Sequence, residues 1–261
     1  MPIFDCFLYS NEDLILDIRL NTLDPYVEKF VIVEAAMDHQ GNKKKLNFNI
    51  DNFPKFKDKI SYLTIDNFPE TYSSWQRENY QRNFLSKGID DSSDEDYIMI
   101  SDVDEIPNLE NFHIKKKNKF TVFAQKMYYY KLNLHNTTDP VWYGTRICKK
   151  KYLKSPQWLR SQKIKKKKFF DLFKDNWNII ENGGWHFSFL LSPNEIRNKI
   201  NSFAHTEFNI AKFKNLEKIK LSIKNKSDLF DRPIKYKQVK IDNTYPIYIQ
   251  KNINRLKEWI L

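Results

Sequence analysis

Apolar positions recur through the first half of the chain with two alternating periods. Residues 4–9 form a short apolar run that reads as a strand. Residues 14–23 carry Leu16, Leu20 and Leu23 at helical spacing, and residues 30–33 form a second apolar run. Residues 60–65 predict a third strand, 75–85 a helix bearing polar side chains, and 97–101 a fourth strand. This rhythm predicts an α/β fold with a Rossmann-type, mainly parallel sheet flanked by helices. The second half changes character. Residues 120–125, 127–132 and 142–147 predict antiparallel additions to the sheet, followed by a Lys-rich loop over 162–168. Ser192, Pro193 and Glu195 then supply an N-cap, a first-turn proline and a capping-box partner for a further helix. The tail, residues 249–261, predicts a closing helix with Ile253, Leu256 and Ile260 on one face.

The fourth strand leads into the most specific chemistry. Tyr97, Ile98, Met99 and Ile100 read as a strand buried on both faces, and Asp102 and Asp104 follow one residue apart. A period of two puts both carboxylates on the same side of the strand's end, where open α/β sheets bind their ligands. Two like charges held together there call for a cation, and hard oxygen donors favour Mg²⁺ or Mn²⁺. A structural alternative is that Asp104 and Glu105, ahead of Ile106 and Pro107, open a helix.

The 261 residues suit one large domain with a sizeable core, and 15% aromatic content argues against disorder. Only 5 glycines are present, with no Gly-x-Gly-x-x-Gly and no Walker loop, so phosphates would be held by metal and side chains. The net charge of +11 is carried by short runs at 43–45, 115–117, 149–151 and 165–168. Such runs serve as solvated faces or as peripheral contacts with an anionic membrane surface. No specific nucleic-acid motif is legible. Cys6 and Cys148 lack metal-ligand spacing and read as reduced core thiols, which with the absence of a leader or membrane span predicts a cytoplasmic protein.

Read together and in order, the motifs resemble glycosyltransferase family 17. They are the opening segment 4–14, the strand ending in Glu34 with Gln40, Gly41 and Lys44 after it, and Trp75, Arg77, Glu78 and Arg82. The segment from Ile100 to Pro107, Gly184-Trp185-His186-Phe187-Ser188, Ser202 to Glu207, and Asp228 with Phe230 and Arg232 complete the set. The resemblance implies a GT-A-like fold, a nucleotide-sugar donor and an inverting, Mn²⁺-dependent (or Mg²⁺-dependent) transfer of GlcNAc from UDP-GlcNAc. It implies a nucleotide-sugar-binding half over residues 1–110, an acceptor and catalytic half over 111–235 and a closing segment over 236–261. Lys45 stands where the family favours proline. The family's best-known members carry a membrane anchor that this sequence lacks, so a saccharide, glycolipid or glycoprotein acceptor all remain open.

Under that resemblance Asp104 is the preferred direct metal ligand, and Asp102 binds the metal or the ribose hydroxyls. His186 is the third ligand, with a core histidine as the alternative reading and His205 as the fallback. Glu34 ends its strand within reach of a base or ribose. Arg77, Glu78 and Arg82 share one helix, where Glu78 and Arg82 also suit an i,i+4 salt bridge. Lys44, Arg160 and Arg232 are phosphate candidates. Tyr128, Tyr129, Tyr130, Trp142 and Trp185 suit either sugar stacking or the core. Inversion needs a general base, for which Glu207 is the first candidate and Asp228 the second. A metal-dependent phosphodiesterase or nuclease would use the same metal-site residue types, and a non-catalytic carbohydrate-binding relative is a third possibility.

Overall fold

A computed structural model describes residues 1–110, 112, 118–164 and 177–261. The lysine runs at 115–117 and 165–168 lie outside the described residues. In chain order the elements are β1 (Ile3–Leu8), α1 (Asp13–Leu23), β2 (Lys29–Ala35), β3 (Ile60–Ile65), α2 (Ser74–Phe84), β4 (Tyr97–Asp102) and β5 (Glu105–Pro107). There follow β6 (Phe120–Tyr129), β7 (Leu134–Asn136), β8 (Val141–Lys149), α3 (Pro156–Ser161), β9 (Trp177–Ile180) and β10 (Gly184–Ser188). The chain closes with α4 (Pro193–Ser202), α5 (Ala211–Lys214), α6 (Leu216–Lys224), β11 (Tyr236–Gln238) and α7 (Ile247–Lys251).

One mixed sheet runs in the order β11-β7-β6-β8-β4-β1-β2-β3, with β5, β9 and β10 attached beside it. The expected parallel sheet is realised in β4-β1-β2-β3, whose three pairings are all parallel, and β9 and β10 also pair parallel with β6. From β8 onward antiparallel pairings enter, because β8 runs back along β4 and β6 runs back along β8. Strands buried on both faces explain the unbroken apolar runs. Phe7, Phe30, Ile32 and Met99 face the side covered by α1. Cys6, Val31, Val33, Ile98 and Ile100 face the side covered by Leu85 and Leu159. Each fully buried aliphatic side chain of this kind contributes about 1.5–3 kcal/mol. A third cluster under the cavity joins Tyr130 and Leu134 to Ile196 and Ile200 of α4 and Ile219 of α6.

Three expectations are corrected. Residues 120–125 and 127–132 do not form two strands, since β6 runs continuously to Tyr129 with a register shift between Val122 and Ala124. Lys126, the gap between the two expected strands, stays in β6 paired with Val141 of β8 and Trp185 of β10, and Gln125 before it is fully buried, its side-chain oxygen accepting from Thr145 N at 3.1 Å. The alternative in which Asp104 and Glu105 open a helix is not realised: Val103 and Asp104 form a turn and Glu105 begins β5. The tail is not one helix. It stops after Lys251, where Asn252 donates its side-chain amide to the Tyr248 carbonyl at 2.8 Å, and it resumes only as a 3₁₀ turn at Lys257–Trp259. Ile253 is consequently exposed, while Leu256 remains buried.

Candidate active site

The strand order places β1 between β2 and β4, the point at which an open α/β sheet parts its loops to admit a ligand. Leu8 at the end of β1 stands opposite Asp102 at the end of β4. A cavity of about 820 Å³ opens there, lined by segments 8–12, 37–39 and 102–104, by Trp142 and His186, and by Lys199 of α4.

His186 reaches this floor through strand pairing. β10 lies between β5 and β6, with His186 opposite Glu105 on one side and Met127 on the other. Gly184 permits the approach: at φ +131 a Cβ there would stand 2.2 Å from the Ile106 carbonyl oxygen. His186 Nε2 consequently lies 3.4 Å from Asp104 Oδ1. Burial disfavours the charged imidazole, yet the neighbouring Asp104 carboxylate raises the His186 pKa overall. Burial likewise works against the Asp104 carboxylate, and His186 and Lys199 together hold its pKa below the ordinary value. Lys199 Nζ stands 3.8 Å from Asp104 Oδ2 and 3.4 Å from Glu12 Oε1.

Asp102 faces two guanidinium groups. Arg160 Nη2 lies 2.8 Å from its Oδ2 and Arg82 Nη2 lies 3.2 Å from its Oδ1. Burial raises its pKa, but the charges of Arg160 and Arg82 outweigh it and leave the carboxyl far below its usual range. Glu105, fully buried, anchors this group: it accepts from Arg160 at 2.5 Å, from Trp142 Nε1 at 2.6 Å and from the Asp102 backbone N–H at 3.1 Å. Glu78 pairs with Arg82 at 2.7 Å, the expected i,i+4 bridge, and both line the cavity.

Among the described residues no cluster of three or more His, Cys, Asp or Glu is arranged to hold a metal. A two-residue contribution nevertheless fits. Donor atoms bound side by side to a small divalent ion at about 2.1 Å stand about 3 Å apart. The separation of Asp104 Oδ1 and His186 Nε2 is close to that, and Mg²⁺-type ions complete their shells with water and substrate phosphate. Asp102 is turned to its arginines instead.

The structure brings Asp102, Asp104, His186, Glu78, Arg82, Lys44 and Arg232 to the cavity. Glu34, Arg77, Arg160, Glu207 and Asp228 do not line it. Glu34 is fully buried and accepts from Lys44 at 2.5 Å, Asn47 N at 2.9 Å, Phe48 N at 3.1 Å and Tyr62 at 2.9 Å, so it fastens the loop after β2 rather than facing a base or ribose. Arg77 donates to the His39 carbonyl at 3.1 Å and packs against Gly41, bracing the 38–42 turn. Arg160 stands behind Asp102, its other nitrogen given to the Gly144 carbonyl at 2.7 Å. Glu207 sits in an exposed 3₁₀ turn outside the cavity lining, hydrogen-bonded to His205 at 2.8 Å, and that bond lowers its pKa. His205 reaches the cavity edge, but it pairs with Glu207 and packs on the rings of Trp75, Phe203 and Phe208 rather than on Asp104.

Asp228 is saturated by the backbone N–H groups of Phe230 and Arg232 at 3.0 and 3.1 Å, by Arg232 Nη2 at 2.7 Å and by Tyr236 at 3.0 Å. A carboxylate so occupied has no lone pair to offer as a base. Of the five aromatics, Tyr128, Tyr129, Tyr130 and Trp185 are buried, whereas Trp142 is 41% exposed with its ring 5.3 Å from His186.

Sequence reasoning missed Arg19, Lys199, Glu12 and Glu105. Arg19 is fully buried, pairs with Asp5 and donates to the carbonyls of Asp102, Val103 and Glu105 at 3.2, 3.3 and 2.7 Å. Lys199 carried one readable signal, its position four residues after Glu195 on a well-capped helix whose N-terminus the sequence marks.

The strand-end cavity gathers the carboxylates of Glu12, Asp38, Glu78, Asp102, Asp104 and Asp139 with the cations of Lys44, Arg82, Lys199 and Arg232, the lining of a site for a polar ligand. Comparison with known proteins narrows that class. The chain belongs to glycosyltransferase family 17, whose family model matches residues 1–241. Among curated proteins it is similar to the β-1,4-mannosyl-glycoprotein 4-β-N-acetylglucosaminyltransferases of Homo sapiens and Rattus norvegicus, each 29% identical over 108 residues, and of Mus musculus, at 28%. The alignment covers 38% of this chain and 20% of each relative.

Proposed function

We propose that this chain is an inverting, metal-dependent glycosyltransferase with a GT-A-like arrangement. It moves a sugar, GlcNAc foremost, from a UDP-sugar to a saccharide or glycoconjugate acceptor. The observation that carries this reading is the convergence of Asp104 and His186 at the carboxyl end of β4, beneath a cavity with cationic side chains on its walls. Departure of UDP builds negative charge on the diphosphate. A divalent ion held by Asp104 and His186 would neutralise that charge without proton transfer. Arg82, Lys44 and Lys199 bind and orient the phosphates from the walls, and Asp102 fixes the direction of Arg82. Trp142, with its indole N–H anchored on Glu105, offers an exposed ring as a platform for a sugar face.

The acceptor is proposed as a class only: a saccharide, a glycolipid or a glycoprotein. Cys6 and Cys148 are buried free thiols, raised in pKa by burial, and they support the proposal of a reducing, cytoplasmic setting. A thermal-shift panel of UDP-, GDP- and CMP-sugars, each with Mn²⁺ or EDTA, tests the donor reading, because a ligand of the native state raises its stability. UDP-sugars should raise the melting temperature with Mn²⁺ alone. A shift with GDP- or CMP-sugars and none with UDP-sugars would replace the donor.

A further inference from the structure

Inverting transfer requires a base for the acceptor hydroxyl, and the carboxylates lining the cavity can be sorted by what they already hold. Glu12 accepts from Ser10 N and Asn11 N at 3.0 Å each and faces Lys199. Asp38 accepts from the backbone and side-chain amides of Asn42 at 2.8 and 3.1 Å. Glu78 holds Arg82, Asp102 holds Arg82 and Arg160, and Asp104 faces His186 and Lys199. Among the described residues, Asp139 is the lining carboxylate to which no hydrogen bond or ion pair runs.

Its backbone, by contrast, is fixed. Asn136 Oδ1 accepts from the N–H groups of Thr138 and Asp139 at 3.0 and 2.9 Å, and the Pro140 carbonyl accepts from Met127 N at 3.0 Å. Met127 pairs with His186 across the β6–β10 ladder. The Pro140 backbone, next to Asp139 in the chain, therefore stands about two strand spacings, roughly 10 Å, from the His186 backbone, and Asp139 and Trp142 both line the cavity. A phosphate-linked sugar carbon and the hydroxyl attacking it fill a gap of that size.

We propose that Asp139 is the general base. Its carboxylate takes the proton of the acceptor hydroxyl as that oxygen bonds to the anomeric carbon. The bond from that carbon to the β-phosphate oxygen breaks with its electron pair leaving on UDP. The assignment rests on the donor reading above.

The test uses UDP-GlcNAc with water as acceptor, following UDP release, together with UDP affinity by calorimetry in Mn²⁺. Asp139→Asn and Asp139→Ala should keep UDP affinity within about 2-fold while release falls by about 10²- to 10⁴-fold. Azide, an anionic nucleophile that needs no deprotonation, should restore release in Asp139→Ala and yield the β-glycosyl azide. Undiminished release in both variants, or a loss that azide does not restore, overturns the base assignment alone. A wild-type protein that binds no UDP overturns the donor reading and this assignment together.

Discussion

Arg19 Nη1 donates to the carbonyl oxygen of Glu105 at 2.7 Å, so a guanidinium on α1 holds the turn that presents the Asp pair. The same group is neutralised by Asp5, whose carboxylate lies 2.5 Å away with both side chains fully buried. Burial raises the Asp5 pKa and the Arg19 charge works against that rise. Arg19→Met would leave Asp5 buried without its guanidinium and would remove one donor from each of the Asp102, Val103 and Glu105 carbonyls. Breaking a buried pair from one side costs about 3–5 kcal/mol. Urea unfolding should show a loss of that size, and Asp5→Asn in the same chain should recover only part of it, since the turn stays unheld. A cost below about 1 kcal/mol would remove the anchoring role.

Gly184 is the second support. Alanine there meets the Ile106 carbonyl and the backbone of Asn108 and Pro107, and its φ of +131 is strained for any side chain. Gly184→Ala should lower stability by about 2–4 kcal/mol. It should also weaken Mn²⁺ binding, because β10 carries His186. Unchanged metal affinity in a folded variant would separate strand placement from the site.

Asp228 and Arg232 form a structural clasp in this account. Burial raises the Asp228 pKa, but Arg232 and Tyr236 outweigh it and the folded-state value lies below the ordinary carboxylate value of about 3.9. The carboxylate therefore stabilises the fold at neutral pH, and its contribution disappears as pH falls below about 4. Asp228→Asn should be less stable than wild type at pH 7 by about 1–3 kcal/mol, with the difference shrinking in denaturant titrations at pH 3. A variant with wild-type stability and no turnover would return Asp228 to the chemistry.

The parallel half of the sheet was legible because β1, β2 and β4 are buried on both faces and leave unbroken apolar runs. The capped start of α4 was legible for a different reason, since Ser192 and Glu195 satisfy each other's backbone N–H groups locally. What depends on distant partners was not readable. Lys126 reads as a gap between two strands yet stays in β6, because Val141 of β8 and Trp185 of β10 pair with it from either side. Arg19 looks like a solvated helix position until Asp5 and the 102–105 turn close over it. Glu207 lies beside a site residue in sequence, but the 3₁₀ turn at Thr206–Phe208 points its carboxylate to His205. Asp139 sits in an Asn-Thr-Thr-Asp-Pro turn that reads as a connection, and only the β6–β8 pairing carries it to the cavity.

The Asp104–His186 pair sets a ranking for metal affinity. His186→Ala should weaken Mn²⁺ binding, read from the free-ion EPR signal, by about 10- to 100-fold, the range found when a metal's surroundings are disturbed. His205→Ala should change it by less than about 2-fold, because His205 pairs with Glu207 and packs on Trp75, Phe203 and Phe208. The reverse order would move the site to the 205–207 turn.

Metal-dependent donor binding through Asp104 is the claim on which the functional reading turns, and calorimetric titration of UDP tests it most directly. Wild-type protein with Mn²⁺ should bind UDP, and wild type in EDTA should bind at least about 10-fold more weakly, since phosphate and Asp104 would no longer share a cation. Asp104→Asn with Mn²⁺ should match the EDTA result while keeping its unfolding midpoint. Equal UDP affinity across all three samples would contradict the account.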